Sequence, residues 1–437
     1  MILNINEIIL IFAIFALNLY VLLKSFNSKF WIKAFQPKVF ISLNILYYCV
    51  FGPLVYLYSG RSFFRNLETS PYYIWGWIGT LVFYLPNLIG YYFLSPKYPS
   101  EFIKKKTINL KSMFNIGLIL TLVSYLSFLI IRGRTALDYL SLFGSFNAVI
   151  SSGFQQGYNF GELNNIFLEG VNILIPGIIL MFISLCYSGK NKTFTYGIIY
   201  FTISLFISIG FRSRVIMLLI PCYFIYYFSK NRKPPVLLST FYASILLTAS
   251  SFIEITRVYF AGLDITKFDF DLNKLFVTAF MESNTFITSS VIFETIPREL
   301  PFIGTRPLLE AIVKFTHLIG LGDKFNEPYY TEIITMIYGA KDAEGAAHLG
   351  FAEYYLMGGW IGLIISGLLF GYFLKRLWIW FLCSPEDYMR QAIYFTSIGF
   401  LYMVFSRGFM PQIFTFYIFL IGPLLLLNTI YENKNNL

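Results

Sequence analysis

The chain has 437 residues, of which 57% are hydrophobic and only 13% charged, and its mean hydropathy is +0.65. A soluble globular domain carries roughly a quarter charged residues, so the composition excludes that class and specifies an all-α polytopic membrane protein. The formal net charge of +10 comes with no nucleic-acid motif, so it is read as an orientation signal and no nucleic-acid partner is expected.

In chain order, apolar stretches near the length that crosses a bilayer, about 20 residues at helical rise, fall at 8–23, 39–58, 72–94, 113–131, 166–187, 194–209, 215–228, 236–256, 349–373, 391–405 and 412–430. They predict about 11 transmembrane helices. The first carries Glu7 before its apolar run and Lys24 after it, opposite to the charge order of a cleaved secretory signal, which predicts a first helix entered from outside. The N-terminus is then expected outside and the C-terminus in the cytoplasm. With no linker, low-complexity tract or internal repeat, residues 1–437 are expected to form one integral membrane domain. Cys49, Cys186, Cys222 and Cys383 show neither a disulfide framework nor a metal-binding spacing.

The connections between these stretches divide by charge type. One set carries Lys24, Lys29, Lys33 and Lys38, then Lys97 to Lys111, Lys190, Lys192, Lys230, Lys233 and Lys375, in all fifteen Lys against three Arg. The alternate set carries ten Arg against five Lys, with Arg61, Arg65, Arg132, Arg134, Arg212, Arg214, Arg257, Arg298, Arg306 and Arg407. Short loops rich in positive charge stay in the cytoplasm, so the lysine set marks that side. Guanidinium groups offer a planar fork of donors suited to phosphate or carboxylate, so the arginine set points to an anionic substrate handled on the outer face.

Two outer segments are long. Residues 132–165 contain an apolar run, 136–150, expected as an interfacial helix. Residues 257–348 form the large periplasmic or extracellular loop, with eight basic and twelve acidic residues. Within it 275–293 is apolar enough to sit at or partly in the membrane. Leu308, Ile312, Phe315 and Ile319 repeat at helical spacing and predict an amphipathic surface helix.

Two clusters carry the candidate chemistry. Gly210, Phe211, Arg212, Ser213 and Arg214 make a short outer turn that opens an apolar span, where the arginines either snorkel at a helix end or grip an anion. His348 closes the large loop, and Glu353, Gly359 and Gly362 follow in the next span. A carboxylate about a turn inside a membrane is a functional candidate by default. On a continuous helix, residues five apart project roughly 140° apart, so His348 and Glu353 are expected not to share one proton relay. Asp269, Phe270 and Asp271 have the DxD form but no identifiable partner ligands, so metal-independent chemistry without a cofactor is expected. Glu169 and Glu254 are read as interhelical contacts and His317 as a surface residue. Tyr329, Tyr330 and Tyr338 suit sugar stacking or interfacial anchoring.

The short GxRSR turn, the long outer loop before the last three spans, and Glu353 followed by Gly359 and Gly362 resemble the O-antigen and capsule repeat-unit polymerases, relatives of the O-antigen ligases. The resemblance covers the hydropathy plan of the whole chain, while its specific motifs occupy about forty residues. It implies a GT-C-like fold in the bacterial inner membrane. It also implies undecaprenyl diphosphate-linked glycans as donor and acceptor, surrounding membrane lipid, and a chain-length regulator protein as partner. Arg212, Arg214 and Arg257 are the first candidates for holding the diphosphate, with Arg306 and Arg407 next. His348, placed like the histidine of the related ligases, is the first candidate general base and Glu353 the second. The rival readings are a ligase of the same architecture and a transporter or flippase of lipid-linked sugar, which would show broken helices or repeats and a water-filled path.

Overall fold

The computed structural model describes residues 3–60, 63–64, 67–94, 108–132, 169–208, 212–236, 238–239, 242, 277, 279–280, 284–318, 328–339 and 347–436. The interfacial helix at 136–150, most of the span at 236–256, and Glu254, Arg257, Asp264, Asp269, Asp271 and Ile319 lie outside them. So does the side chain of Arg212.

Among the described residues the fold is helical apart from one small antiparallel hairpin, β1 (Phe63–Phe64) with β2 (Leu67–Glu68). Helix α1 (Ile5–Phe26) opens on a capping box, in which Asn4 and Glu7 each accept the other's backbone N–H at 2.9 Å. Helix α2 (Pro37–Tyr58) contains a π turn at Leu46–Phe51. Its cause is local: Pro53 has no N–H to give the carbonyl of Cys49. That carbonyl accepts instead from Trp77 Nε1 at 2.8 Å, as a backbone group inside a membrane must find some protein partner.

Trp77 belongs to α3 (Tyr73–Tyr92). Then come α4 (Leu110–Arg132), α5 (Leu174–Ser188), α6 (Lys192–Ser208) and α7 (Arg212–Ser229). From the large loop come α8 (Asn284–Thr295), α9 (Arg306–Leu318) and α10 (Tyr329–Tyr338). The chain continues through α11 (Gly350–Leu382), α12 (Tyr388–Ser406), α13 (Met410–Leu420) and α14 (Gly422–Asn436). Helices α3 and α11 pack most extensively, so closely that a Cβ on Gly371 would overlap the carbonyl of Asn87.

Among the described residues six helical stretches are long and apolar enough to cross a membrane: Ile5–Phe26, Pro37–Tyr58, Leu110–Ile130, Val171–Ser188, Gly350–Leu382 and Met410–Tyr431. They define an all-helical, multi-pass membrane architecture. The expected spans at 72–94, 194–209, 215–228 and 391–405 are also helical, in α3, α6, α7 and α12. Helix α12 shows why such segments are less apolar: almost its whole length is buried by other helices, where Thr396 and Gln391 never face lipid.

One part of the large loop departs from its outline in sequence and another follows it. The apolar run expected at the membrane surface contributes α8, and nearly all of α8 is buried inside the protein against α3 and α11. Helix α9 forms as the amphipathic spacing predicts, with Leu308, Leu309 and Ile312 exposed and Phe315 edge-on to Phe414 of α13.

Helix α11 is not one continuous rod. Gly358 (φ −152°, ψ 23°) and Gly359 (φ 61°, ψ −153°) leave helical geometry, and the second lies in a region open essentially to glycine alone. The break is filled by the segment before α9: Ile303 N–H donates to the Leu356 carbonyl at 2.9 Å, and the Phe302 ring lies against Gly359. Backbone freed inside the span is thereby satisfied from within the protein.

Candidate functional site

His348 sits just before α11, whose first helical residue is Gly350 with Leu349 as its N-cap. Its position is held by backbone contacts on both sides. Leu349 N–H donates to Ser289 Oγ of α8 at 2.8 Å, and the His348 carbonyl accepts from Gly408 N–H at 2.7 Å. Gly408, between α12 and α13, is tight against the imidazole, and a Cβ there would overlap it.

The two ring nitrogens have different fates. Nδ1 lies 3.1 Å from the Leu349 carbonyl, which can only accept, so the ring proton belongs on Nδ1. Nε2 then presents a lone pair, and it points at Glu353 Oε2, 3.4 Å away. Both side chains are buried, and neither of these two atoms makes a hydrogen bond to the protein. The other carboxyl oxygen, Oε1, is held by the Tyr329 hydroxyl of α10 and by Met410 N–H of α13 at 3.2 Å.

This corrects the expectation that His348 and Glu353 project apart. The 100° step applies only within a helix, and His348 lies before the first turn, with the N-cap Leu349 in extended backbone between it and the helix, so that its ring folds back onto Glu353. Burial holds the imidazole down, to about 4, against the opposing bond to Leu349, so the ring is neutral near pH 7. Burial and then the neighbouring Glu353 raise the Tyr329 phenol, which therefore stays protonated as a donor. A neutral imidazole lone pair facing a carboxyl oxygen is an arrangement that takes up or hands on a proton.

Aromatic rings separate this pair from a second cluster. The Tyr330 ring is centred 5.9 Å from the imidazole, and Phe409 stands 5.0 Å from Tyr330 and 5.9 Å from Tyr329. Lys314 Nζ of α9 lies 5.7 Å from the Phe409 ring centre. Lys314 makes no hydrogen bond or ion pair among the described residues. Its burial lowers its ammonium, with the charge of Glu169 acting the other way. Glu169 also accepts from Asn172 Nδ2 at 2.6 Å, and Asn172 Oδ1 accepts from Arg214 Nε at 2.5 Å. The Arg214 guanidinium stands 5.3 Å from the Phe416 ring. Phe409 is the N-cap of α13 and Phe416 lies within that helix, so Lys314 and Arg214 each meet an aromatic ring of one segment, with Glu169 acting on both.

The arginine candidates divide accordingly. Arg214 is buried inside the protein rather than snorkelling. Arg306 ties α9 to α10, its Nε on Glu310 at 2.9 Å and its Nη1 on Glu332 at 2.8 Å. Arg407 caps α12, one residue before the Gly408 contact with His348. Tyr329, expected to stack on a sugar or to anchor at the interface, instead donates to Glu353. Lys314 has no role in the sequence expectations, because it reads as one more charge on an amphipathic helix.

Comparison with protein-family models, with curated proteins and with solved structures finds no match. Fold and site together define a class by their own features: a helical multi-pass membrane protein with a buried histidine–carboxylate–tyrosine group beside a cationic cluster.

Proposed function

We propose that the protein is a membrane glycosyltransferase of GT-C-like architecture that polymerises undecaprenyl diphosphate-linked repeat units into O-antigen or capsular polysaccharide at the outer face of the bacterial inner membrane. The observation that carries this reading is the bare His348 Nε2 facing Glu353 Oε2, with Lys314 against the Phe409 ring that also packs on Tyr329 and Tyr330. In the proposed reaction the acceptor's sugar hydroxyl reaches His348 past the Tyr330 and Phe409 rings and attacks the anomeric carbon of the growing chain. The bond from that carbon to the diphosphate oxygen breaks, and undecaprenyl diphosphate leaves. The hydroxyl proton passes to Nε2, with Glu353 Oε2 beside it, and Tyr329 and Met410 N–H hold the other carboxyl oxygen in place. The leaving group is already acidic, so the barrier falls chiefly through positioning and through fixed positive charge at Lys314 and Arg214.

The break in α11 favours a second reading, transport of lipid-linked sugar, because discontinuous helices mark many transporter sites. Reconstitution separates the two. Purified protein supplied with a lipid-linked repeat unit should lengthen it to a glycan ladder. His348→Ala should leave substrate binding intact and cut extension by about 10²- to 10⁴-fold, and Arg214→Lys should also lower it by removing the planar fork. Flipping of the lipid without lengthening would establish the transporter. A single transfer onto a lipid A core would establish the ligase.

A further inference from the structure

The opposite end of α11 carries a second cluster of cations. Lys24 in the last turn of α1, Lys38 in the first turn of α2 and Lys375 of α11 converge on Tyr91 and Tyr92 at the end of α3. Lys38 Nζ donates to the Tyr92 hydroxyl at 2.7 Å and stands 4.7 Å from the Tyr92 ring centre and 5.4 Å from that of Tyr91. Lys24 Nζ lies 5.1 Å from the other side of the cluster, at Tyr92, and donates to Tyr20 at 3.1 Å. Lys375 Nζ is 5.1 Å from the Tyr91 ring. The charges acting on Lys38 are Lys24, Lys375 and Lys33, every one of them positive. Neither Lys24 nor Lys38 has a carboxylate partner among the described residues. Lys38 is only 5% exposed, so an anion that meets it is held away from the water that would screen the contact.

Ring faces offset part of this repulsion, since each cation is drawn to the negative face of the ring. They do not neutralise the charge. An anion does, and the surroundings say what carries it. Exposed apolar side chains border the cluster on the same elements: Tyr20 and Leu23 on α1, Phe93 and Leu94 just past α3, and Phe373 on α11. A phosphate among the lysines would thus have acyl chains running along exposed apolar helix surface. Basic pockets between transmembrane helices hold anionic headgroups in this way. From these contacts we infer a binding site for the phosphate of an anionic phospholipid headgroup at the joined ends of α1, α2, α3 and α11. All four lysines belong to the set whose loops the sequence places in the cytoplasm, where the leaflet is anionic.

The test uses the full chain in nonionic detergent, with thermal unfolding followed as phosphatidylglycerol, phosphatidylethanolamine or inorganic phosphate is added. Phosphatidylglycerol should raise the Tm of the parent, with the other two having little effect. In Lys24→Gln with Lys375→Gln, the apparent affinity for phosphatidylglycerol should fall about 30-fold, on the scale of two lysines at a membrane surface. Lys38 is left in place because it is buried and bonded to Tyr92. Equal responses to the two lipids, or an unchanged affinity in the double variant, would overturn the site. Stabilisation by inorganic phosphate alone would overturn the lipid assignment in favour of a soluble anion. Should the double variant fail to purify, Lys24→Gln, at the exposed end of α1, is read on the same scale with an expected loss of about fivefold, and an unchanged affinity there counts equally against the proposal.

Discussion

His348 is the residue on which the chemistry turns, and its burial has a consequence for pH. A histidine in the unfolded chain titrates near its ordinary value, about 6.5. In the folded protein burial pushes it down to about 4. Between these values the unfolded chain binds the extra proton, so the native state gains stability as pH rises through the window and loses it as pH falls from 6.5 towards 4. The expected outcome is twofold. The acid limb of activity should lie well below 6.5, and the acid loss of Tm should be shallower in His348→Gln than in the parent. An acid limb at 6.5 that moves with substitution of His348 would mean a solvated imidazole. Around this residue Glu353, Tyr329 and Gly408 form a close shell: one carboxyl oxygen is fixed by two donors, and the other faces Nε2.

At the scale of elements, the break in α11 is the feature most exposed to a single change. Gly359 combines a positive φ with the Phe302 ring against its Cα, so an added methyl group meets both backbone strain and a side chain. Backbone held in such a region costs a non-glycine residue on the order of 1–3 kcal/mol. Gly359→Ala is therefore expected to lower the Tm of the purified protein, and Phe302→Ala in the same chain should relieve the steric part alone. A Tm equal to the parent's would mean that α11 runs straight with little penalty. The break also explains how α9 is placed. The Leu356 carbonyl, released from its helical partner, accepts from Ile303 and anchors the segment that leads into Arg306 and its ties to Glu310 and Glu332. Through those ties α9 and α10 bring Lys314 and Tyr329 to the site from two successive helices of one loop.

On the scale of the whole molecule, orientation rests on the division of lysine from arginine. The packing agrees that the lysines share an end: Lys24, Lys38 and Lys375 gather around Tyr91 and Tyr92, and Lys233 Nζ donates to the carbonyl of Phe26 at 2.7 Å. Single cysteines at Asn27 and Thr305, with the four native cysteines replaced, read the sidedness directly. In intact cells an impermeant thiol reagent should label Thr305→Cys and leave Asn27→Cys unmodified until the membrane is opened. Equal labelling of both would remove the orientation and, with it, the outer-face chemistry.

The sequence by itself determined the solvent and the class of fold. Sustained apolar runs with few charges leave a chain no stable alternative to helices in a bilayer, and that property is local, legible residue by residue. The charge division, the amphipathic α9 and the candidacy of His348 and Glu353 were legible for the same reason. Only the tertiary structure decided which of these groups meet. His348 reaches Glu353 because the helix starts at Gly350 and leaves His348 outside its first turn. Tyr329, Met410 and Lys314 arrive from three other helices, and Glu169 from the chain before α5, at sequence distances that no periodicity encodes. Arg306, a second choice for holding an anion, is held by two carboxylates, while Arg214, a first choice with snorkelling as its rival reading, is buried on Asn172. A short-range pattern records what each residue prefers to face. Partnership between side chains depends on how the helices cross, and in this protein on a single glycine break that lets one loop fold back into the span.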